Sequence, residues 1–484
     1  MKPLFTLAVL ALIAASGTTP TYAQTPGLNL ANAGYAARDP AAAAHAFQAA
    51  LAAGGLSDAQ ARGVRLALSD VLSKTGDASG RIAALAPLAT EMSYAVQSRL
   101  AYALDAAKQP AEAATAYAAA AADAPNPQAR IDMLRGRVFA LSNLSQGAET
   151  LTTVQALAIE PGLSRDDAIN LAYISVKFSD DRLAQGFFAR ADTLQPLAGN
   201  LALDAAYSAQ RVKDRDATVR YLKRSLDGEE TGDPTRRYQV RRGLADLSRR
   251  AGATASLFYD DTGSQTGRIP GAGSGNLQAG VEAYFRPLGY NSGRPVEVFV
   301  RAFETLDSRR GDPTGSDTVQ GWIGVRIKPF ANQNLILEGS RLVSIGDRAL
   351  DDWMVRAAWS TTSGLDLHPG SAATRMHQIY VDVAHLTGAD ATFAVVDGRI
   401  GRSYQPGGGS LILAPFVGAT LSYDSGLASE AALGVGPGIW LRLWTRQDRY
   451  RAPQSYIDVA LQYRLRLAGD RRAEGLFGNV SFTY

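Results

Sequence analysis

The chain has 484 residues, with 49 Lys or Arg against 46 Asp or Glu, and it contains no cysteine. The net charge of +3 excludes bulk electrostatic attraction to nucleic acid or anionic lipid, so we expect no nucleic-acid partner. The lack of cysteine excludes disulfide bonds, thiolate catalysis and cysteine-based metal sites, and the length predicts two or three domains.

Residues 1–23 have the features of a cleavable signal peptide. Lys2 gives a positive start, an apolar run extends from Leu4 to Ala15, and Thr21 and Ala23 are small residues at cleavage positions. The apolar run is shorter than the roughly 20 residues of a membrane-spanning helix, so cleavage after Ala23 is favoured over an amino-terminal anchor. Since no unbroken apolar stretch of spanning length follows in the sequence, a membrane-integral mature chain must be a closed β-barrel.

Residues 27–252 are predicted to form a helical repeat domain. One pattern recurs at about the 34-residue period of tetratricopeptide units. It consists of a small residue, an aromatic residue four positions on, a small residue after three more, and a proline or glycine after another five. It occurs as Ala43, Phe47, Ala50 and Gly55, as Ala113, Tyr117, Ala120 and Pro125, and as Ala184, Phe188, Ala191 and Pro196. We expect about six helical pairs, which either present a concave surface to a protein or polymer or serve only as a spacer.

The last predicted helix extends from Thr235 to Ala251 and is basic. Its arginines are Arg236, Arg237, Arg241, Arg242, Arg249 and Arg250. Such a run usually forms a solvated helix face. At a domain boundary, contact with lipid headgroups is the alternative.

After Gly252 the hydrophobic period changes from about 3.6 to 2, which predicts an all-β domain over residues 253–484. In the clearest strand, Tyr456 to Leu467, one side is apolar and the other largely polar, as expected for lipid outside and water inside. Similar segments bring the total to about twelve strands, and an even number puts both ends of the barrel on one side. One length disagrees, because residues 363–374 form a long connection where a short periplasmic turn is expected. A soluble β-sandwich is the alternative, since alternation alone does not distinguish the inside from the outside.

The final strand, Gly475 to Tyr484, is predicted to close the barrel. Val480, Phe482 and Tyr484 form part of an apolar face that ends on an aromatic residue, as bacterial outer-membrane barrels do. We interpret these three residues as the closure signal read by the barrel-assembly machinery. The strand is expected to pair with the first one, so that no sheet edge remains.

The sequence shows no catalytic constellation, cofactor-binding motif or metal-ligand spacing, which predicts a protein that is not an enzyme and uses no cofactor. The polar strand faces instead predict a charged lumen interleaved with aromatic residues. The predicted lining residues are Glu282, Arg286, Glu297, Arg301, Trp322, Arg326, Lys328, Arg356, Asp382, Arg399, Trp440, Arg442, Asp458, Arg464 and Arg466. Such a lining suits passage of a saccharide; the alternative is that paired charges fill and rigidify a narrow barrel.

Three segments, Gly398 to Pro406, Gly436 to Trp444 and Tyr450 to Arg464, resemble the carboxy-terminal domain of the bacteriophage N4 adsorption protein A family. The resemblance implies periplasmic tetratricopeptide repeats joined to an outer-membrane barrel. That layout is similar to the outer-membrane subunits of cellulose and poly-N-acetylglucosamine export, and it implies a polysaccharide exit pore that a phage exploits. The chain departs from those exporters in its shorter repeat array and smaller barrel.

These observations predict an α+β multidomain protein with a tetratricopeptide-like α-solenoid followed by an antiparallel outer-membrane β-barrel. The leading hypothesis is an outer-membrane pore and periplasmic scaffold for exopolysaccharide export. Its expected partners are outer-membrane lipid, the barrel-assembly machinery, a polysaccharide, periplasmic or inner-membrane polysaccharide synthesis proteins bound through the repeats, and a phage. The alternatives are a non-conducting receptor or structural protein with a plugged barrel, and a soluble periplasmic repeat adaptor.

Overall fold

A computed structural model describes residues 25–228, 233–262, 276–289, 292–309 and 311–484. The predicted signal peptide, residues 1–23, lies outside this part of the chain. The described residues form two compact units that divide after Leu194. The units therefore do not coincide with the predicted domain boundary at 252/253, which follows the change from helix to strand.

The described residues contain thirteen α-helices before the first strand. They are α1 (Pro26–Ala36), α2 (Pro40–Ala53), α3 (Asp58–Thr75), α4 (Ala78–Leu85), α5 (Tyr94–Ala106), α6 (Pro110–Ala122), α7 (Pro127–Asn143), α8 (Gly147–Ala158), α9 (Arg165–Lys177), α10 (Asp181–Leu194), α11 (Gly199–Arg211), α12 (Arg215–Asp227) and α13 (Pro234–Ser248). Consecutive helices pack in pairs, from α1 with α2 to α11 with α12. The prediction of about six helical pairs is therefore confirmed, with α13 as an additional helix.

The turns inside the pairs repeat one backbone geometry. Lys108, Ser145, Ser179 and Lys213 all have positive φ, between 57° and 64°, and each lies between the two helices of its pair. A residue in this left-handed region ends the first helix and reverses the chain. Its recurrence in four of the six described pairs shows that the repeat is built into the backbone as well as the side chains.

The predicted signature residues form the contacts between the paired helices. Tyr117 on α6 and Phe188 on α10 are buried, and their rings pack edge-on against Tyr102 and Tyr173 at centroid distances of 5.7 and 5.6 Å. The flanking small residues Ala113, Ala120, Ala184 and Ala191 are fully buried. Small side chains let the helices approach closely while the aromatic ring fills the remaining gap, as the tetratricopeptide spacing requires.

Twelve antiparallel strands close into a barrel, as predicted. They are β1 (Ala251–Asp260), β2 (Leu277–Leu288), β3 (Val296–Asp307), β4 (Gln320–Ile327), β5 (Leu335–Ser344), β6 (Asp352–Ser363), β7 (Ala373–Leu386), β8 (Ala391–Tyr404), β9 (Leu411–Asp424), β10 (Ala431–Thr445), β11 (Ser455–Ala468) and β12 (Gly475–Thr483). Each strand pairs with its neighbours in sequence, and β1 pairs with β12. Because the sheet closes on itself, the β-sandwich considered as an alternative is wrong.

The two faces of the barrel separate apolar from charged residues. Val300, Ile323 and Val355 are exposed on the outside, whereas Glu297 and Arg301 of the same sheet are buried inside. This is the arrangement of bacterial outer-membrane barrels, with an apolar outer band and a polar interior. We call the end at which β1 begins and β12 ends the near end, and the opposite end the far end. None of the described helices is long and apolar enough to cross a membrane.

The contact between Gly136 on α7 and Tyr117 gives a test of the repeat packing. A Cβ atom at position 136 would lie 2.5 Å from the Tyr117 ring, whereas a Cβ at Gly186 on α10 meets nothing within 4 Å. We expect Gly136→Ala to lower the free energy of unfolding by about 1–3 kcal/mol, because the buried ring has no room to move. The matched control Gly186→Ala should raise it by about 1 kcal/mol through helix propensity. Thermal loss of helical circular dichroism measures both, and equal effects of the two variants would refute this packing.

The pairing of β12 with β1 predicts a requirement for the last residues. Phe482 lies opposite Ala255 and Ile457, and the Tyr484 amide donates to the Ala253 carbonyl at 2.8 Å. Deleting residues 482–484 should therefore prevent barrel closure and abolish the faster gel migration of unheated, folded barrel. Deleting residues 426–428 from an exposed far-end loop is the control and should leave that migration intact. Normal migration of the first truncation would contradict the closure role.

Candidate functional site in the barrel lumen

The lumen is the part of the barrel that concentrates charged side chains. Alternation along each strand points every second residue inward, so charges from neighbouring strands meet across the interior. Of the predicted lining residues, Arg301, Trp322, Glu297, Asp458 and Arg464 are each at most 7 % exposed. Burial of charges at this level requires partners, and most of the predicted residues have them.

One side of the lumen carries a continuous network of ion pairs on β2 to β7. Arg301 on β3 contacts Glu282 on β2 at 2.6 Å and Glu338 on β5 at 3.5 Å. Arg356 on β6 continues the chain, with contacts of 3.2 Å to Glu338 and 2.6 Å to Asp382 on β7. Charges of alternating sign thus connect β2, β3, β5, β6 and β7 along this side of the lumen.

The same network extends from Glu282 towards the near end. Arg326 contacts Glu282 at 2.8 Å and also pairs with Glu297, which accepts from Arg286 at 2.6 Å. Each carboxylate is therefore shared by two guanidinium groups. Sharing offsets the cost of desolvation better than isolated pairs do, because every charge has more than one partner.

A second group of charged residues lies on β8 to β11. Arg442 donates two hydrogen bonds of 2.7 Å to Asp458 and packs over the Tyr456 ring with a centroid distance of 4.0 Å. Arg399 lies 2.7 Å from the Asp397 carboxylate. Planar guanidinium groups suit such combined pairing and stacking, so these side chains are held in fixed positions.

Two predicted lining residues lie at the ends of the lumen. Lys328 follows the end of β4 and belongs to a near-end turn. Arg466 is close to the far end, where its partly exposed side chain contacts Glu474 at 3.4 Å. Neither residue joins the ion-pair network described above.

The sequence prediction of the lining did not include Glu338, although its side chain is only 1 % exposed and forms ion pairs with Arg301 and Arg356. It follows the apolar run Leu335 to Leu337, which hides the period of two. A signal was present in the alternation of Glu338, Ser340 and Leu342 with Leu337, Gly339 and Arg341. That signal is weak because the last residues of β5 reverse the expected polarity.

The near end is covered by α13 and two turns, residues 364–372 and 446–454. Arg242 on α13 donates to Asp366 at 2.7 Å, and Tyr238 donates to the same carboxylate at 2.5 Å. Arg241 donates to the carbonyl oxygens of Asp448 and Arg451 at 2.6 and 3.0 Å. We call α13 with these two turns the near-end cap. The expectation of a solvated or lipid-contacting arginine face is therefore wrong for Arg241 and Arg242, which instead bind the turns.

The turn at residues 364–372 is the connection whose length disagreed with a simple barrel. Leu365 is buried and packs with Trp440 and Trp444, and its carbonyl oxygen accepts from the Trp444 Nε1 at 3.1 Å. Since β6 and β10 are four strands apart, this turn folds inward over the mouth of the barrel. Its extra length is used to close the near end.

Burial in the near-end cap perturbs two ionisable groups of α13. It raises the pKa of Asp246, a shift that the positive charges of Arg242 and Arg249 only partly oppose. Burial also raises the pKa of Tyr238, and its hydrogen bond to Asp366 acts in the same direction. Both groups are thereby kept protonated to higher pH than in water.

The described residues of the lumen line at least two cavities. One, which we call the β5–β6 cavity, has a volume of about 310 Å³ and is lined by Glu297, Arg326, Glu338 and Arg356 among others. The other, which we call the β8–β12 cavity, has a volume of about 270 Å³. Tyr380 lines both cavities. No group of three His, Asp or Glu that could hold a metal ion occurs in the part of the chain that the structure describes.

Comparison with known proteins finds a family match within the barrel half. Residues 311–480 match the family described as bacteriophage N adsorption protein A, C-terminal. This match covers β4 to β11 and most of β12, and it confirms the resemblance inferred from the sequence for that part of the chain. A search of curated protein sequences gave no significant match.

Solved structures similar to this chain include both repeat proteins and barrels. The tetratricopeptide-repeat protein YrrB has 13 % identity and a TM-score of 0.31, with 38 % of this chain and 92 % of that chain covered. A bacterial polysaccharide outer-membrane secretin has 9 % identity and a TM-score of 0.26, with coverage of 49 % and 98 %. An outer-membrane channel from Pseudomonas putida F1 has 12 % identity and a TM-score of 0.28, with coverage of 48 % and 94 %.

The ion-pair network predicts unequal effects of removing a buried and an exposed arginine. Arg301→Met leaves two buried carboxylates short of a partner, so we expect the free energy of unfolding to fall by about 3 kcal/mol or more. The control is Arg309→Met, which removes an exposed pair with Asp261 and should cost less than about 1 kcal/mol. Urea unfolding in detergent micelles measures both. Equal losses would contradict the network.

Proposed function

We propose that this chain is an outer-membrane conduit and periplasmic scaffold for the export of a surface exopolysaccharide, and that the structure is its closed state. In this proposal the far-end loops face the cell exterior and the near end faces the periplasm. The helical pairs bind periplasmic or inner-membrane polysaccharide synthesis proteins. A phage adsorbs through the exterior loops, and the protein itself catalyses no reaction.

The observation that carries the proposal is the pair of polar cavities that share Tyr380. A barrel interior that serves only as a core is packed with few voids larger than a water molecule. Here cavities of about 310 and 270 Å³ remain between charged side chains. Tyr380 is the one residue that lines both cavities, and in this proposal its displacement opens a longer path between them.

The near-end cap supports a closed state that can open. Leu365 anchors the first turn on Trp440 and Trp444, but α13 binds the two turns through hydrogen bonds and ion pairs, including Arg242 with Asp366 and Arg241 with two backbone carbonyl oxygens. Water can replace such contacts at modest cost, whereas an apolar core cannot be opened so easily. The cap is thus a feasible moving part, unlike the strands that carry the closed sheet.

A second candidate is a non-conducting receptor or structural protein. It is favoured by the network from Arg286 to Asp382, which fills one side of the lumen with closely spaced ion pairs. In that case the charges fill and rigidify the barrel, and the cavities hold only water. The helical pairs would then be anchored at the membrane without a transport path.

Planar-bilayer conductance of the purified full chain separates the two candidates. Asp366→Asn weakens the attachment of the near-end cap to Arg242, so we expect several-fold more open events than in the unmodified protein. The control is Asp216→Asn, which changes a carboxylate that is 90 % exposed on α12 and should behave like the unmodified protein.

Three outcomes decide the proposal. More frequent opening of Asp366→Asn alone supports a gated conduit. Absence of any conductance in all three proteins, and in a fourth variant that lacks residues 366–371, favours the receptor. Unaltered surface exopolysaccharide in a deletion strain would overturn the export role even if the barrel conducts.

A further inference from the structure

The β8–β12 cavity contains buried polar groups without protein partners. The Trp440 Nε1–H has no acceptor and the Asn479 Oδ1 has no donor among the described residues, and both side chains line the cavity. Trp440 is 7 % exposed. Native interiors rarely leave such donors and acceptors unsatisfied, so a donor and an acceptor at one cavity point to a small molecule that supplies both functions.

Arg464 adds a third group to the same cavity. Its Nε donates to Gln462 at 3.0 Å, and its ring contact with Phe477, at 4.0 Å, holds the guanidinium flat. The closest carboxylate oxygen among the described residues belongs to Asp397, at 3.8 Å. Asp397 already contacts Arg399 at 2.7 Å and accepts from Thr420 at 2.7 Å. The terminal nitrogens of Arg464 therefore have hydrogen-bonding capacity that no nearby carboxylate uses.

The charges of the wall limit the ligand. Arg399 and Arg464 line the cavity together with Asp260, Asp397 and Asp458. Two cations against three anions give no cationic excess, so a negatively charged ligand gains little. The volume of about 270 Å³ is just below the roughly 300 Å³ at which ordinary ligand pockets start, so the site suits a small ligand.

We propose that the β8–β12 cavity is a binding site for one neutral pyranose unit. A sugar hydroxyl both donates and accepts, so a single ring can bond the Trp440 Nε1–H, the Asn479 Oδ1 and the Arg464 guanidinium. Phe258 and Tyr380 line the same cavity, and aromatic rings suit the C–H faces of a sugar. The inference rests on the proposed function only for the source of the sugar, which is the exported polymer.

The test is isothermal titration calorimetry of the full chain in detergent micelles. The probes are glucose, N-acetylglucosamine and glucuronic acid, each as the free monosaccharide. We expect at least one neutral sugar to bind in the millimolar range or more tightly, and to bind at least fivefold more tightly than glucuronic acid. Glucuronic acid as the tightest ligand would overturn the assignment of a neutral sugar.

Two variants locate the binding. Trp440→Phe keeps an aromatic ring but removes the donor, and Asn479→Leu removes the acceptor at similar size; each should weaken sugar binding about fivefold or more. The control is Trp353→Phe, which changes an outward-facing side chain that is 59 % exposed and should leave the affinity unchanged. Heat-dependent gel migration checks that every variant has folded. Equal affinities in all three would place the sugar elsewhere and refute this site.

The sugar titration and the conductance measurement distinguish failure of the sugar site from failure of the export proposal. If none of the sugars binds at concentrations up to about 50 mM, the cavity holds only water. The sugar site is then refuted, whatever the conductance. If a sugar binds with the expected variant pattern while the barrel never conducts, the site stands and the export path fails.

Discussion

The structure depends on the pairing of charges inside the barrel. A twelve-strand barrel turns every second side chain into its interior, and in this chain many of those side chains are ionised. A buried charge without a partner costs more than most single interactions supply. Arg301 and Glu338 are each almost inaccessible to solvent, and each meets charges from two other strands. The network therefore constrains which strands are neighbours and in which register, in addition to filling space.

The same need for partners explains the near end. Leu365 is drawn into the mouth beside Trp440 and Trp444, and Asp366 follows it to the rim, where Arg242 and Tyr238 supply its hydrogen bonds. The long turn at residues 364–372 and the basic helix α13 thus bind each other. This contact accounts for both the length of the turn and the arginines of the helix. The helix α13 leads directly into β1, the strand that pairs with β12 to close the barrel.

Much of this fold could be predicted from residue spacing. The offsets of Ala113, Tyr117 and Ala120 identified the helical pairs, and alternation identified the clear strands and their outward faces. Glu338 could not be assigned because the residues before it, Leu335 to Leu337, are all apolar and show no alternation of apolar and polar side chains. The role of Arg242 could not be assigned either. An arginine-rich helix face has the same sequence pattern whether it contacts water, lipid or a turn more than one hundred residues away. These partners are determined by proximity in the folded chain, which the spacing of residues along the sequence does not show.

The features that bear on function also divide between sequence and tertiary structure. Local preference and hydrophobic period act over a few residues, so the sequence by itself determined two halves, a repeat period, about twelve two-faced strands and an aromatic end. Ion pairs between distant strands, the inward fold of residues 364–372 and the cavities on either side of Tyr380 were decided only by the tertiary structure. The physical reason is that barrel closure brings side chains from different strands together, and whether they fill the lumen or leave space depends on their packing in three dimensions.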